Sequence, residues 1–165
     1  MRSRYLPALV GLAIAAAALV AVAAPASAAP TTKGQTVVTI DSGLAAALTG
    51  LGVQVGVVKP AYGKGSGVAF PIVGNPARGD IKHVGGLTLS AGSTTVSLTN
   101  YRIDGAVITG IVNGGDRVPL FDITAPGGII TLDLTDVAAG ALNAAFGVAA
   151  LSGSTKVGTA VIQTP

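Results

Sequence analysis

The chain is 165 residues long, half of them hydrophobic and only 10% charged, with ten Lys and Arg, seven acidic residues, one His and no Cys. Without cysteine there is no disulfide framework, no Cys–His pair and no thiolate zinc site. Low charge is combined here with abundant Val, Ile and Leu, so the chain has the apolar surface a packed core needs and is not read as disordered.

At the N-terminus, Met1-Arg2-Ser3-Arg4 is followed by an almost unbroken apolar run from Tyr5 to Ala24, then by Pro25-Ala26-Ser27-Ala28. A short basic start, an apolar stretch and an A-x-A site are the grammar of a secretory signal peptide. The run is long enough to tempt a transmembrane reading, but the small-residue site follows it directly and no basic stop-transfer flank is present. Residues 1–28 are expected to be a removed leader. The remaining chain is expected to be secreted, or held loosely at the envelope, and not membrane-spanning after cleavage. Taking Arg2 and Arg4 from the ten basic residues leaves eight against seven Asp, a net charge near +1. These eight are scattered along the sequence, and nucleic acid, which needs a basic face, is not an expected partner.

Residues 29–34 read as a flexible lead into a single domain over 35–165. A strand is predicted at 36–40. Asp41 or Ser42 can cap a short helix through Leu44, Ala47 and Leu48, ended by Gly50 and Gly52. Val53, Val55 and Val57 alternate as in a strand, and 59–67 reads as a glycine-rich loop. A strand at 68–73 follows, with Pro71 suggesting an edge or a bulge. The middle reads as a meander: 81–89, a turn at 90–93, 94–103, a hairpin turn at Asp104-Gly105, 106–112, a turn at 113–116, and 117–123. The apolar phase slips between Val96, Leu98 and Tyr101, Ile103, which implies a bulge near Thr99-Asn100. Ile130, Leu132 and Leu134 mark a strand with one buried face. Thr135 or Asp136 can cap a second helix running to Gly147, and a last strand is predicted at 156–163.

The first and last segments overlay, Ser42–Leu48 on Asp136–Leu142 and Gly67–Phe70 on Gly158–Val161. This suggests a strand–helix–strand unit covering each end of the fold. The expected fold is mainly β, an antiparallel β-sandwich or meander with two short helices, one near each end of the mature chain.

Catalytic constellations are few. The chain has no G-x-S-x-G elbow for a triad and no calcium loop. The glycines at 63, 65 and 67 lack the Lys-Ser/Thr of a phosphate-binding loop. Of the seven Asp, five fall where caps, turns and strand ends place an Asp anyway: Asp41, Asp80, Asp104, Asp116 and Asp136. No metal site and no enzyme are expected. The candidate ligand-binding residues are His83, Tyr62 and Tyr101. Period-2 alternation puts His83 on the same side as Ile81, as either a hydrogen-bonded structural residue or a ligand contact. Tyr101 shares a face with Ile103, which favours core packing with a bonded hydroxyl. Tyr62, in the glycine-rich loop, is free to touch something outside the fold.

The stretch Ile81-Lys-His83-Val-Gly85-Gly-Leu87, with the strands after it and Tyr101-Arg-Ile-Asp-Gly105, resembles the HtaA family of secreted haem-binding domains, over about residues 68–123. His83, Gly85 and Leu87 match the family's His-x-Gly-x-Leu segment, and Lys82 stands where the family has Gly. The resemblance implies a β-rich fold and haem, or another flat apolar molecule, as ligand. The family's iron is held by a tyrosine from the N-terminal helical region. Here that region, Leu44 to Leu51, has neither Tyr nor Trp, so Tyr62 or His83 would have to take that role. The alternative expectation is a secreted structural or cell-envelope interaction domain with no small-molecule site, pairing through an exposed edge such as the Pro71 strand.

Overall fold

The computed structural model describes residues 32–165; the expected signal peptide lies outside them. In chain order the elements are β1 (Gln35–Ile40), α1 (Ser42–Gly50), β2 (Gln54–Val58), β3 (Tyr62–Lys64), β4 (Gly67–Pro71), β5 (Gly86–Ala91) and β6 (Thr94–Asp104). They continue with β7 (Val107–Val112), β8 (Arg117–Thr124), β9 (Ile130–Leu134), α2 (Asp136–Phe146) and β10 (Lys156–Gln163). The fold is mainly β and antiparallel with two helices, as the alternation predicts. All ten strands join one ladder, in the order β2-β5-β6-β7-β8-β9-β10-β1-β4-β3.

That ladder also closes on itself. The segment 81–84 lies between β4 and β6. Val84 N donates to Pro71 O at 3.1 Å and Val73 N to Lys82 O at 2.9 Å. On the other side His83 N donates to Tyr101 O at 2.8 Å and Ile103 N to Ile81 O at 3.0 Å. A circuit of eight strands results: 81–91, β6, β7, β8, β9, β10, β1 and β4. Opposed walls face each other across the core, as the two layers of a sandwich do. β2 and β3 hang outside the circuit and end the ladder.

Several local readings shift. The glycine-rich loop contains β3, which pairs with β4 through Tyr62↔Ala69 and Lys64↔Gly67. The Pro71 strand is therefore internal, between β1 and β3, and Pro71 pairs with Gln35 beyond the end of β3, where a missing N–H costs nothing on that side. Lys33 N bonds Ile72 O and Ile72 N bonds Gly34 O, so the lead into the domain already extends the β1–β4 ladder at 33–34. The β6–β7 hairpin turns through Gly105 and Ala106, pairing Asp104 with Val107. Gly105, at φ 61°, takes the first central position of the turn. That is one residue later than the Asp104-Gly105 signal places it.

Asp41 caps α1, its carboxylate accepting from Gly43 N at 2.9 Å and Leu44 N at 3.3 Å. Thr135 caps α2, its hydroxyl accepting from Ala138 N at 3.1 Å while donating to Pro119 O at 3.0 Å. The helices do not cover opposite ends of the fold. β1 and β9 are both antiparallel to β10, hence parallel to each other. Each helix follows the C-terminal end of its strand, so both lie at one end of the barrel.

Candidate functional site

Between the walls lies an apolar cavity of about 580 Å³. Val38, Leu87, Leu98, Ile108, Leu120 and Leu132 line its sides. Leu44, Leu48 and Leu51 of the α1 region and Ala138, Leu142 and Phe146 of α2 line it at the helix end. These come at spacings of three and four, one face of each helix. Among the described residues, the titratable side chains in the lining are His83 and Tyr101.

Two backbone irregularities bring those two together. In β6, Thr99 pairs with Ile111 and Arg102 with Thr109, so Asn100 and Tyr101 oppose the single residue Gly110. This is the bulge the phase slip predicts, with Asn100 in the left-handed region at φ 53°. It turns Tyr101 inward over Gly110, where a Cβ would lie 3.0 Å from Tyr101 Cδ1. Across the ladder, Asn100 N donates to Gly85 O at 3.0 Å. Gly85 itself sits at φ 82°, with Ala61 packed against its α-carbon. The kink at Gly85 separates 81–84 from β5 and sets Ile81 and His83 facing the cavity, as period 2 predicts.

His83 is 5% exposed. Its Nε2 is 2.7 Å from Thr36 Oγ1, and Nδ1 is buried with no hydrogen-bond partner. Burial pushes the imidazole pKa down to about 4, and the backbone of Tyr101 opposes that shift. The ring is therefore neutral at pH 7. The Tyr101 carbonyl accepts from the His83 backbone N, and the Thr36 hydroxyl can donate to Nε2 or accept from it, as the tautomer dictates. Tyr101 is 5% exposed, its hydroxyl donating to Leu98 O at 2.8 Å. Burial raises its pKa, so the phenolate is strongly disfavoured. Phe70 joins the two rings, edge-on to His83 at 6.5 Å and to Tyr101 at 5.3 Å between centroids.

Tyr62 is not part of this site. It lies on β3, 46% exposed, its hydroxyl donating to Gln35 Oε1 outside the barrel. Of the two side chains that would have to take a haem iron, His83 lines the cavity with Nδ1 unpartnered and Tyr62 does not line it. α1 offers no tyrosine, Tyr62 is on the other side of the wall, and the Tyr101 hydroxyl is committed to a carbonyl. Among the described residues no Lys or Arg lines the cavity to receive propionates.

Asp122 and Asp133 stand directly opposite each other on β8 and β9. They face outward, since Leu132 and Leu134 take the inner face of β9, and neither lines the cavity. Among the described residues no three His, Asp or Glu gather as metal ligands.

One cluster of basic residues is not legible in the sequence. Lys82, Arg102 and Arg117 are far apart in the chain, but strand register brings them to one outer pocket of about 270 Å³. Their meeting across 81–84, β6 and β8, with β7 between the last two, depends on the bulge and the 81–84 bridge, neither of which shows in the spacing of basic residues.

No known family, curated protein or solved structure matches this chain.

Proposed function

We propose that the protein is an exported, non-catalytic binding module that takes a small apolar molecule into the barrel. The observation that carries this reading is the cavity. At about 580 Å³ it falls within the roughly 300–1,000 Å³ of small-molecule sites, which are mostly apolar with a few placed polar groups. Thr36, His83 and Tyr101 are those groups, and each is held by a hydrogen bond to the protein. The site offers an apolar volume with fixed walls and no charged side chain. It therefore favours a neutral, apolar ligand over haem. A non-catalytic role is supported by the bonded, neutral His83 and by carboxylates that face solvent. Export is supported by the leader grammar of 1–28.

The test is a fluorescence titration of the purified protein with 1-N-phenylnaphthylamine, a neutral apolar reporter. The expected result is a saturable rise in emission that Tyr62→Phe leaves unchanged. Ala160→Phe, which puts a ring into the interior, is expected to abolish it, and Ile103→Phe serves if the first variant does not fold. Haemin in the same format is expected to keep the Soret band of free haemin. No saturable rise in the parent protein, or an equal rise in a folded filled variant, would overturn the reading.

A second reading, strand addition by an envelope partner, is favoured by β2. It ends the ladder and leaves Val55 and Val57 40% and 42% exposed.

A further inference from the structure

We propose a second, external site on the barrel wall beside the β6 bulge, built by Lys82, Arg102 and Arg117 to bind the phosphoryl group of a phosphate ester. All three line one outer pocket together with Asn100. Register fixes them on one face: Lys82 bridges directly to Arg102, Arg102 pairs with Thr109, and Arg117 pairs with Ile111, two residues along from Thr109. Arg117 Nη1 donates to Thr109 O at 3.2 Å and Thr109 Oγ1 at 3.3 Å. This holds the guanidinium beside the position of Arg102.

Charge compensation is incomplete in a way that suits a dianion. Lys82 is paired with Asp80 at 2.9 Å, and the other ion pair among the described residues, Lys156–Asp41, is elsewhere. Arg102 and Arg117 thus have no carboxylate partner among the described residues. Lys82 stands directly across from Arg102 with its own charge already met by Asp80, so the uncompensated charge at this pocket is that of the two arginines. Guanidinium groups present a planar fork that matches phosphate oxygens. Val73, Val84 and Ile111 supply an apolar flank to the same pocket, which suits the organic part of an ester better than inorganic phosphate.

The ester can be a free small molecule or the headgroup of an anionic lipid, and the test separates them. Purified protein is titrated with glycerol 3-phosphate at low ionic strength, followed by backbone and arginine side-chain NMR. In parallel it is sedimented with phosphatidylglycerol vesicles. Saturable shifts at Asn100, Arg102 and Arg117 are expected, or vesicle binding that maps to the same residues. Each of Arg102→Gln and Arg117→Gln is expected to weaken binding about tenfold or more, from loss of a charged hydrogen bond. Response to the free ester identifies a soluble ligand, and response to vesicles alone identifies the lipid. Absence of both responses, or an undiminished response in the folded double variant, would overturn the proposal. His83 and Tyr101 line both this pocket and the cavity, whereas Arg102 and Arg117 line this pocket alone, so the two arginine variants test this site separately from the cavity.

Discussion

The buried imidazole makes the fold sensitive to acid in a defined window. His83 titrates near 6.5 when unfolded and near 4 in the fold. Between those values the unfolded chain holds the extra proton and the folded chain does not, so stability falls as pH drops through the window. Below about 4 both states are protonated and the penalty is constant. With about 1.36 kcal/mol per pH unit, lowering the pH from 7.5 to 4.5 should remove about 2.5 kcal/mol through this one residue. The seven Asp also titrate toward the acid end, so the quantity to measure is a difference. Urea unfolding of the parent protein and of His83→Gln is followed at pH 7.5, 6.0, 5.0 and 4.5. Glutamine can keep a hydrogen bond to Thr36 without a titrating ring. The parent should lose about 2.5 kcal/mol more than the variant over this range. Parallel pH profiles would refute the reasoning and show that the ring is hydrated or protonated within the fold.

Two further outcomes follow from local geometry. Gly85→Ala needs a left-handed backbone that alanine adopts at a cost, and its methyl would overlap Ala61 N and Val58 O. A loss of about 3 kcal/mol or more is expected, visible as a lowered urea midpoint or as failure to fold. Thr135→Ala removes the α2 cap and leaves Pro119 O without its hydroxyl donor. The expected cost is about 1–2 kcal/mol by the same assay, with Thr135→Ser restoring most of it.

Much of the sheet is legible from the sequence because its determinants are local. Alternation at 130–134, the phase slip at 99–101 and the caps Asp41 and Thr135 each fix an element without reference to anything distant. The closure at 81–84 is not legible in that way. His83 and Tyr101 could each be assigned to the inner face, but their meeting depends on Gly85 and the bulge acting together across two strands. β3 is hidden because Tyr62-Gly63-Lys64 has no apolar alternation, and its pairing comes from β4. The cavity is a sum over many side-chain volumes, which no short window of sequence contains. The placement of both helices at one end follows from counting strand directions, and that requires knowing β10 lies between β1 and β9.

The pairing of β1 with β10 has a consequence for the order of assembly. Gln35 and Gln163 face each other across the ladder, so the circuit joins the first strand of the domain to the last. Loop closure over that span is among the most costly contacts the chain makes, and topologies of this kind fold slowly. Until residues 156–163 are free to pair, β1 and β9 both keep an open edge and the apolar interior stays in contact with water. The barrel therefore stays unfinished until residues 156–163 are available to pair, however early the other strands form.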